Sequence, residues 1–284
     1  MGDWIGEGSA REDTNGVHSA HPHSGCRMRV TLTIPNRAIL ELSGARAFIT
    51  PVAWNRVCWW ADFQSGERIM VFPIGDDNST RRTVPIVTYI LIVVNVLVFL
   101  LELNRGNDFI RTWAFIPREF SASPAAEFQT IFSAMFMHGG WLHLFGNMLY
   151  LWIFGDNVED NFGSLRFLVF YILCGVAATF AQMAVMPTSN VPNLGASGAI
   201  AGVLAAYVVM FPHGKVSMLV GRAVTEVPAI MAIGLWIVLQ LVSGVGAITN
   251  STQTADLGGV AYMAHVGGFV AGLVLVFFFR RRYA

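Results

Sequence analysis

Charge is what this chain has least of. Of its 284 residues only 36 are Asp, Glu, Lys or Arg, or 13%, against about 25% in an ordinary soluble domain. Acids and bases balance at 18 each, and no basic run interleaves with aromatics, which argues against a nucleic-acid partner. Cysteine is scarce as well. Cys26, Cys58 and Cys174 are odd in number and lack Cys-x-x-Cys spacing, so neither a disulfide framework nor a zinc site is indicated, and Cys174 has the setting of a small apolar core residue. What is abundant is apolar: 54% of residues are hydrophobic and the mean hydropathy is +0.55. Half of the charged residues fall within 1–84, so charge density drops from about one in five to about one in eleven along the chain. The composition is that of a membrane protein with two unlike parts.

Residues 1–69 begin with a polar stretch containing Gly, Ser and His, show no signal peptide and contain no apolar run able to cross a bilayer. The expectation is a flexible amino-terminal extension, either a dispensable tail or a stretch upstream of a start at Met70. A small cytoplasmic domain is the alternative, because residues 30–34 alternate weakly like a strand. His18, His21 and His23 cluster there, but the Pro, Ser and Gly around them favour a mobile tail over a metal site. The membrane domain is expected over residues 70–284.

A bilayer core takes roughly 20 apolar residues to cross as a helix. Six segments approach that, at 84–103, 139–154, 165–186, 197–211, 227–245 and 257–279, giving an all-α class: a polytopic membrane protein, a bundle of six transmembrane helices. An even count places both termini on one side. With that side cytoplasmic, its flanks hold Arg81, Arg82, Arg166, Lys215, Arg222, Arg280, Arg281 and Arg282, against Arg105, Arg111 and Arg118 opposite. Eight against three sets the orientation by the positive-inside rule. The outer loop at 104–133 carries Phe109, Trp113, Phe115 and Phe120, which suit either the membrane interface or packing on the loop's own helices.

The second, fourth and sixth segments all begin at the outer face. Their early polar residues, His143 and Asn147, Ser197, and His265, therefore share one depth and can meet. Polar groups at such depth face a bundle interior or a wet cavity, although each alone is an ordinary packing or hydrogen-bonding residue. The fourth segment is short, so Ser197 should be submerged, with the non-helical backbone before it shielded by protein or lining a cavity. Gly198 and Gly202, and Gly268 and Gly272, form two Gly-x-x-x-Gly pairs that would let the fourth and sixth helices approach closely. A serine needs a base within hydrogen-bond reach to become a nucleophile, and His265 is the candidate. No acid lies near it in the segment, so the pair would be a dyad, its imidazole oriented by packing or by an uncharged hydrogen bond. His143, Asn147 and the Ser197 amide at a helix N-terminus could supply the oxyanion donors.

The run from His138 through His143 to Asn147, then Gly195-Ala196-Ser197-Gly198, then Ala264-His265 followed by Gly268 and Gly272, resembles the rhomboid intramembrane serine proteases from about residue 70 onward. The resemblance implies a six-helix protease that cleaves transmembrane helices of membrane proteins near their outer ends, within a lipid bilayer such as a bacterial inner membrane, without metal or organic cofactor. It implies Ser197 as nucleophile, His265 as base, and His143, Asn147 and the Ser197 amide as oxyanion hole. It also implies a structural or hydrogen-bonding role for His138, with Gly195 and Gly198 in support. Two departures stand out. Ala201 replaces an aromatic that in some members stacks on the imidazole, and a Trp-Arg pair in the first outer loop is absent. The competing functions are an inactive rhomboid-like protein that binds transmembrane clients, and a channel or transporter, for which no convincing internal repeat is found.

Overall fold

A computed structural model of the chain describes residues 60–62, 68–79, 81–249 and 261–281. The histidines at 18, 21 and 23, the alternation at 30–34, most of the 1–69 extension, Arg282 and the expected start of the last apolar segment at 257–260 lie outside the described residues. Numbering only the long helices, the chain forms α1 (Ile86–Arg105), α2 (Trp141–Phe162), α3 (Ser164–Val185), α4 (Ser197–Met210), α5 (Ala229–Thr249) and α6 (Tyr262–Phe279). Of these, α1, α3 and α6 are long and apolar enough to cross a membrane, while α4 and the stretch Ala229–Val245 of α5 are shorter apolar helices. Helix α2 runs two turns past the apolar segment at 139–154, because Asp156, Asn157 and Glu159 in those turns find partners and are buried.

Glu159 shows how. Helix α1 starts after Pro85, and the first N–H groups of any helix have no intrahelical acceptor. The Glu159 carboxylate accepts them: Val87 N at 3.0 Å, Thr88 N at 2.8 Å and the Thr88 hydroxyl at 2.9 Å, with the Ser164 hydroxyl of α3 at 2.6 Å. A negative charge there also complements the helix dipole. One buried acid thus joins the ends of three helices.

Helix α4 is central. Every residue from Gly198 to Tyr207 is buried, as expected of a helix apolar all round. Its glycines set the spacing to α6, for a Cβ on Gly268 would overlap the Gly198 carbonyl, and one on Gly272 the Gly202 carbonyl. On its other flank α4 meets Cys174 and Ala178 of α3. The paired glycines rise together in sequence, so α4 and α6 run parallel in backbone contact. Helix α5 is far less enclosed, with Leu235, Val238, Leu239, Leu241 and Val242 between 41% and 66% exposed.

The chain also forms a small antiparallel sheet, β1 (Trp60–Asp62), β2 (Arg68–Asp76), β3 (Lys215–Val220) and β4 (Ala223–Pro228), in that order. An all-helical expectation does not contain it. Val227, expected to open the fifth apolar segment, belongs to β4, and the segment's helix starts only after Pro228. A two-residue turn joins β3 to β4, with Gly221 at φ 62°, the conformation that glycine adopts without steric cost. In β2, Pro73 has no N–H to give a neighbour, and the ladder with β3 is irregular between Pro73 and Gly75.

Candidate active site

The connection from α3 to α4 descends as irregular backbone, and its polar groups need partners wherever water is excluded. The connection from α1 to α2 supplies them. Phe115 N donates to Asn193 O at 3.2 Å and Asn193 N returns a bond to Phe115 O at 2.8 Å. Arg118 N reaches Ser189 O at 3.1 Å, and Gly195 N reaches Ala134 O at 2.9 Å. Phe115 is fully buried and packs on Phe120, with centroids 5.1 Å apart, so these loop aromatics pack on the protein, while Trp113 stays 38% exposed.

This scaffold delivers Ser197 as the first residue of α4. Its Oγ lies 2.7 Å from Nε2 of His265, which stands in the first turn of α6 and is 8% exposed. Described helix α6 begins at Tyr262, so His265 sits nearer its helix start than the apolar pattern suggested. The other imidazole nitrogen, Nδ1, is 2.7 Å from Oε1 of Gln240 on α5. One turn earlier on α5, the Trp236 ring packs on the imidazole at 5.6 Å and 36° between planes. The ring missing at Ala201 is therefore supplied from α5. Neither Gln240 nor Trp236 figures in the sequence expectations; the available signal was an amide alone in the apolar run 229–242.

A cavity of about 120 Å³ opens at this pair, lined by His143 and Asn147 of α2, Leu194, Ser197, Trp236, Gln240 and His265 among others. His143 Nδ1 accepts a long 3.4 Å bond from Gly139 N, which leaves the proton on Nε2. Asn147 is 7% exposed and its Nδ2 has no hydrogen-bond partner, so its donors are uncommitted. Gly195 has φ 132°, and a Cβ there would lie 3.0 Å from His143 Nε2 and 3.5 Å from Ser197 Oγ. The space between these two groups exists because residue 195 has no side chain. The Ser197 amide is among the first N–H groups of α4, which no intrahelical carbonyl accepts. His138 stays apart. It is 1% exposed, its ring rests edge-on to His143 at 5.1 Å and has no hydrogen-bond partner, and its backbone N–H donates to both Glu102 oxygens at 3.1 Å.

The arrangement thus joins a hydroxyl to an imidazole in reach of its proton, beside a small cavity with uncommitted donors. A family model of the rhomboid domain matches residues 125–282, more than half of the chain and every residue of this cluster. The chain belongs to the rhomboid family. It is 33% identical over 194 residues to "Rhomboid protease GluP" of Bacillus subtilis (strain 168), covering 67% of this chain and 35% of that protein. It is 29% identical over 196 residues to "Rhomboid protein 1, mitochondrial" of Saccharomyces cerevisiae, covering 66% and 51%. With the human "Presenilin-associated rhomboid-like protein, mitochondrial" it shares 28% identity over 165 residues, covering 57% and 38%. The chain spans about a third to a half of the length of these curated relatives. The rhomboid domain and the apolar helices together make this a membrane protein.

Proposed function

We propose that this rhomboid is an intramembrane serine endopeptidase that hydrolyses peptide bonds in or near the transmembrane helices of other membrane proteins. The observation that carries the reading is the 2.7 Å contact between Ser197 Oγ and His265 Nε2 at the wall of a cavity. In the proposed reaction His265 takes the hydroxyl proton as Ser197 attacks the scissile carbonyl, then returns it to the leaving amine. The tetrahedral oxyanion draws on His143 Nε2–H, the Asn147 amide and the Ser197 N–H. Water, activated by the same imidazole, then releases the acyl group. No step calls for a metal or organic cofactor.

All six long helices cross the bilayer in this reading, α4 as a short span of about 21 Å that keeps Ser197 below the surface. Both termini lie in the cytoplasm of a bacterium, on the basic side. Residues 70–284 carry the activity. A chain starting at Met70 keeps the β2–β3 pairing, which begins with Val71 opposite Val220.

The test is covalent labelling of purified protein by a serine-directed fluorophosphonate, with the modified residue mapped. Labelling at Ser197, lost in His265→Ala, is expected. Absence of labelling together with binding of transmembrane clients would instead assign the inactive, client-binding role.

A further inference from the structure

We infer that Gln240 is a positioning residue for the His265 imidazole, holding it in the one tautomer that can accept the Ser197 proton; this rests on the serine-protease reading above. A neutral imidazole carries one N–H and one lone pair. Its Nε2 lies 2.7 Å from Ser197 Oγ and its Nδ1 2.7 Å from Gln240 Oε1. An amide oxygen only accepts, so Nδ1 carries the proton and the Nε2 lone pair faces the serine hydroxyl. In the opposite tautomer an N–H would face the nucleophile and no base would exist.

Gln240 is suited to this task by its place. It is 6% exposed in an otherwise apolar stretch, where a primary amide without a partner would cost free energy. It lies four residues after Trp236, so both side chains leave the same face of α5. The imidazole is thereby held at three places: Nε2 on Ser197, Nδ1 on Gln240 and one face on Trp236. The titratable groups lining the cavity beside it are His143, Tyr150 and Tyr262, and among the described residues no Asp, Glu, Lys or Arg lines it. The bond at Nδ1 therefore comes from a dipole and not from a charge. It persists when Nε2 takes the serine proton, because the imidazolium still donates through Nδ1, and the tautomer is set again when that proton leaves.

The test compares wild type, Gln240→Leu and Gln240→Glu in liposomes, reading kcat and KM for a labelled transmembrane helix, the rate of fluorophosphonate labelling, and the thermal unfolding midpoint. Leu has similar bulk and no acceptor. It is expected to lower kcat and the labelling rate tenfold or more, with KM and the midpoint little changed, since general-base catalysis is typically worth about 10² to 10⁴ in rate. Glu restores an acceptor and adds a single negative charge at Nδ1. It should recover most of the rate lost in the Leu variant and move the acid limb of kcat/KM to higher pH, because an adjacent carboxylate favours the imidazolium. Gln240→Leu that cleaves and labels within twofold of wild type would overturn the inference. So would a Leu variant whose loss is matched by a lower midpoint and is not recovered by Glu, which is the signature of helix packing alone. Wild type that neither cleaves nor labels would instead defeat the protease reading itself.

Discussion

Tyr207 donates its hydroxyl to Asp76 at 2.8 Å, so strand β2 is fastened to the last turn of the helix that begins with Ser197. Asn157 of α2 donates to the same carboxylate oxygen at 2.6 Å. Burial, only partly offset by these bonds, pushes the Asp76 carboxyl up from 3.8 to about 6. An acid raised on folding binds its proton more tightly in the folded state, so its contribution to stability is fullest below the unfolded value and declines as pH rises toward about 6. In Asp76→Asn the unfolding midpoint in detergent should vary less between pH 4 and 6 than in wild type. An unchanged slope would show that Asp76 does not titrate there.

Ser197→Ala and His265→Ala should each abolish cleavage of a single-pass membrane protein and leave the unfolding midpoint near that of wild type. In the proposed mechanism the two groups act as one unit, so the double variant should be no worse than either single one. Reconstitution with a panel of labelled transmembrane helices, with fragments scored by mass, gives the answer. Equal cleavage by wild type and Ser197→Ala would end the serine mechanism.

Asn147→Ala should lower kcat by about 10² to 10³ with a smaller effect on KM, as is typical when one oxyanion donor is removed. Its unpartnered Nδ2 has no structural bond to lose. A fall in unfolding midpoint with turnover intact would give Asn147 a packing role instead.

Gly195→Ala combines two penalties. Its φ of 132° is strained for any residue with a Cβ, at a cost of about 1 to 3 kcal/mol, and the new methyl group would stand between His143 Nε2 and Ser197 Oγ. Phosphonate labelling of Ser197 should fall more than tenfold. Labelling at the wild-type rate would mean that the reacting carbonyl does not occupy that space.

Glu159→Gln leaves size unchanged but turns one of two accepting oxygens into a donor that faces N–H and O–H groups. A buried donor without a partner typically costs about 1 to 3 kcal/mol, which should appear as a lower unfolding midpoint. A midpoint within error of wild type would show that the ends of α1 and α3 are held by other contacts.

The meeting of Ser197 with His265 and the glycine contact between their helices were legible because lone polar residues stand out in apolar runs, and close backbone approach is written as the spacing of small residues. Gln240 and Trp236 were not. Their partnership with His265 depends on how α5 is rotated, and an apolar helix exposed along one side carries no pattern that fixes its rotation. The sheet escaped for another reason. Paired residues of β2 and β3 lie between 140 positions apart, at Asp76–Val216, and 149, at Val71–Val220, and pairing over such separation leaves no local mark. Only the β3–β4 hairpin had one, with Gly221-Arg222 set between runs rich in valine.

Ser197 and His265 stand 68 positions apart, with Gln240 between them. On a ribosome the serine emerges long before its base. An incomplete chain that has inserted α4 but not α6 holds an ordinary alcohol in an unfinished wall, and the glycine seam that brings the two together closes only when the last helix arrives. In the proposed protease the reactive pair therefore exists only once α6 has packed on α4.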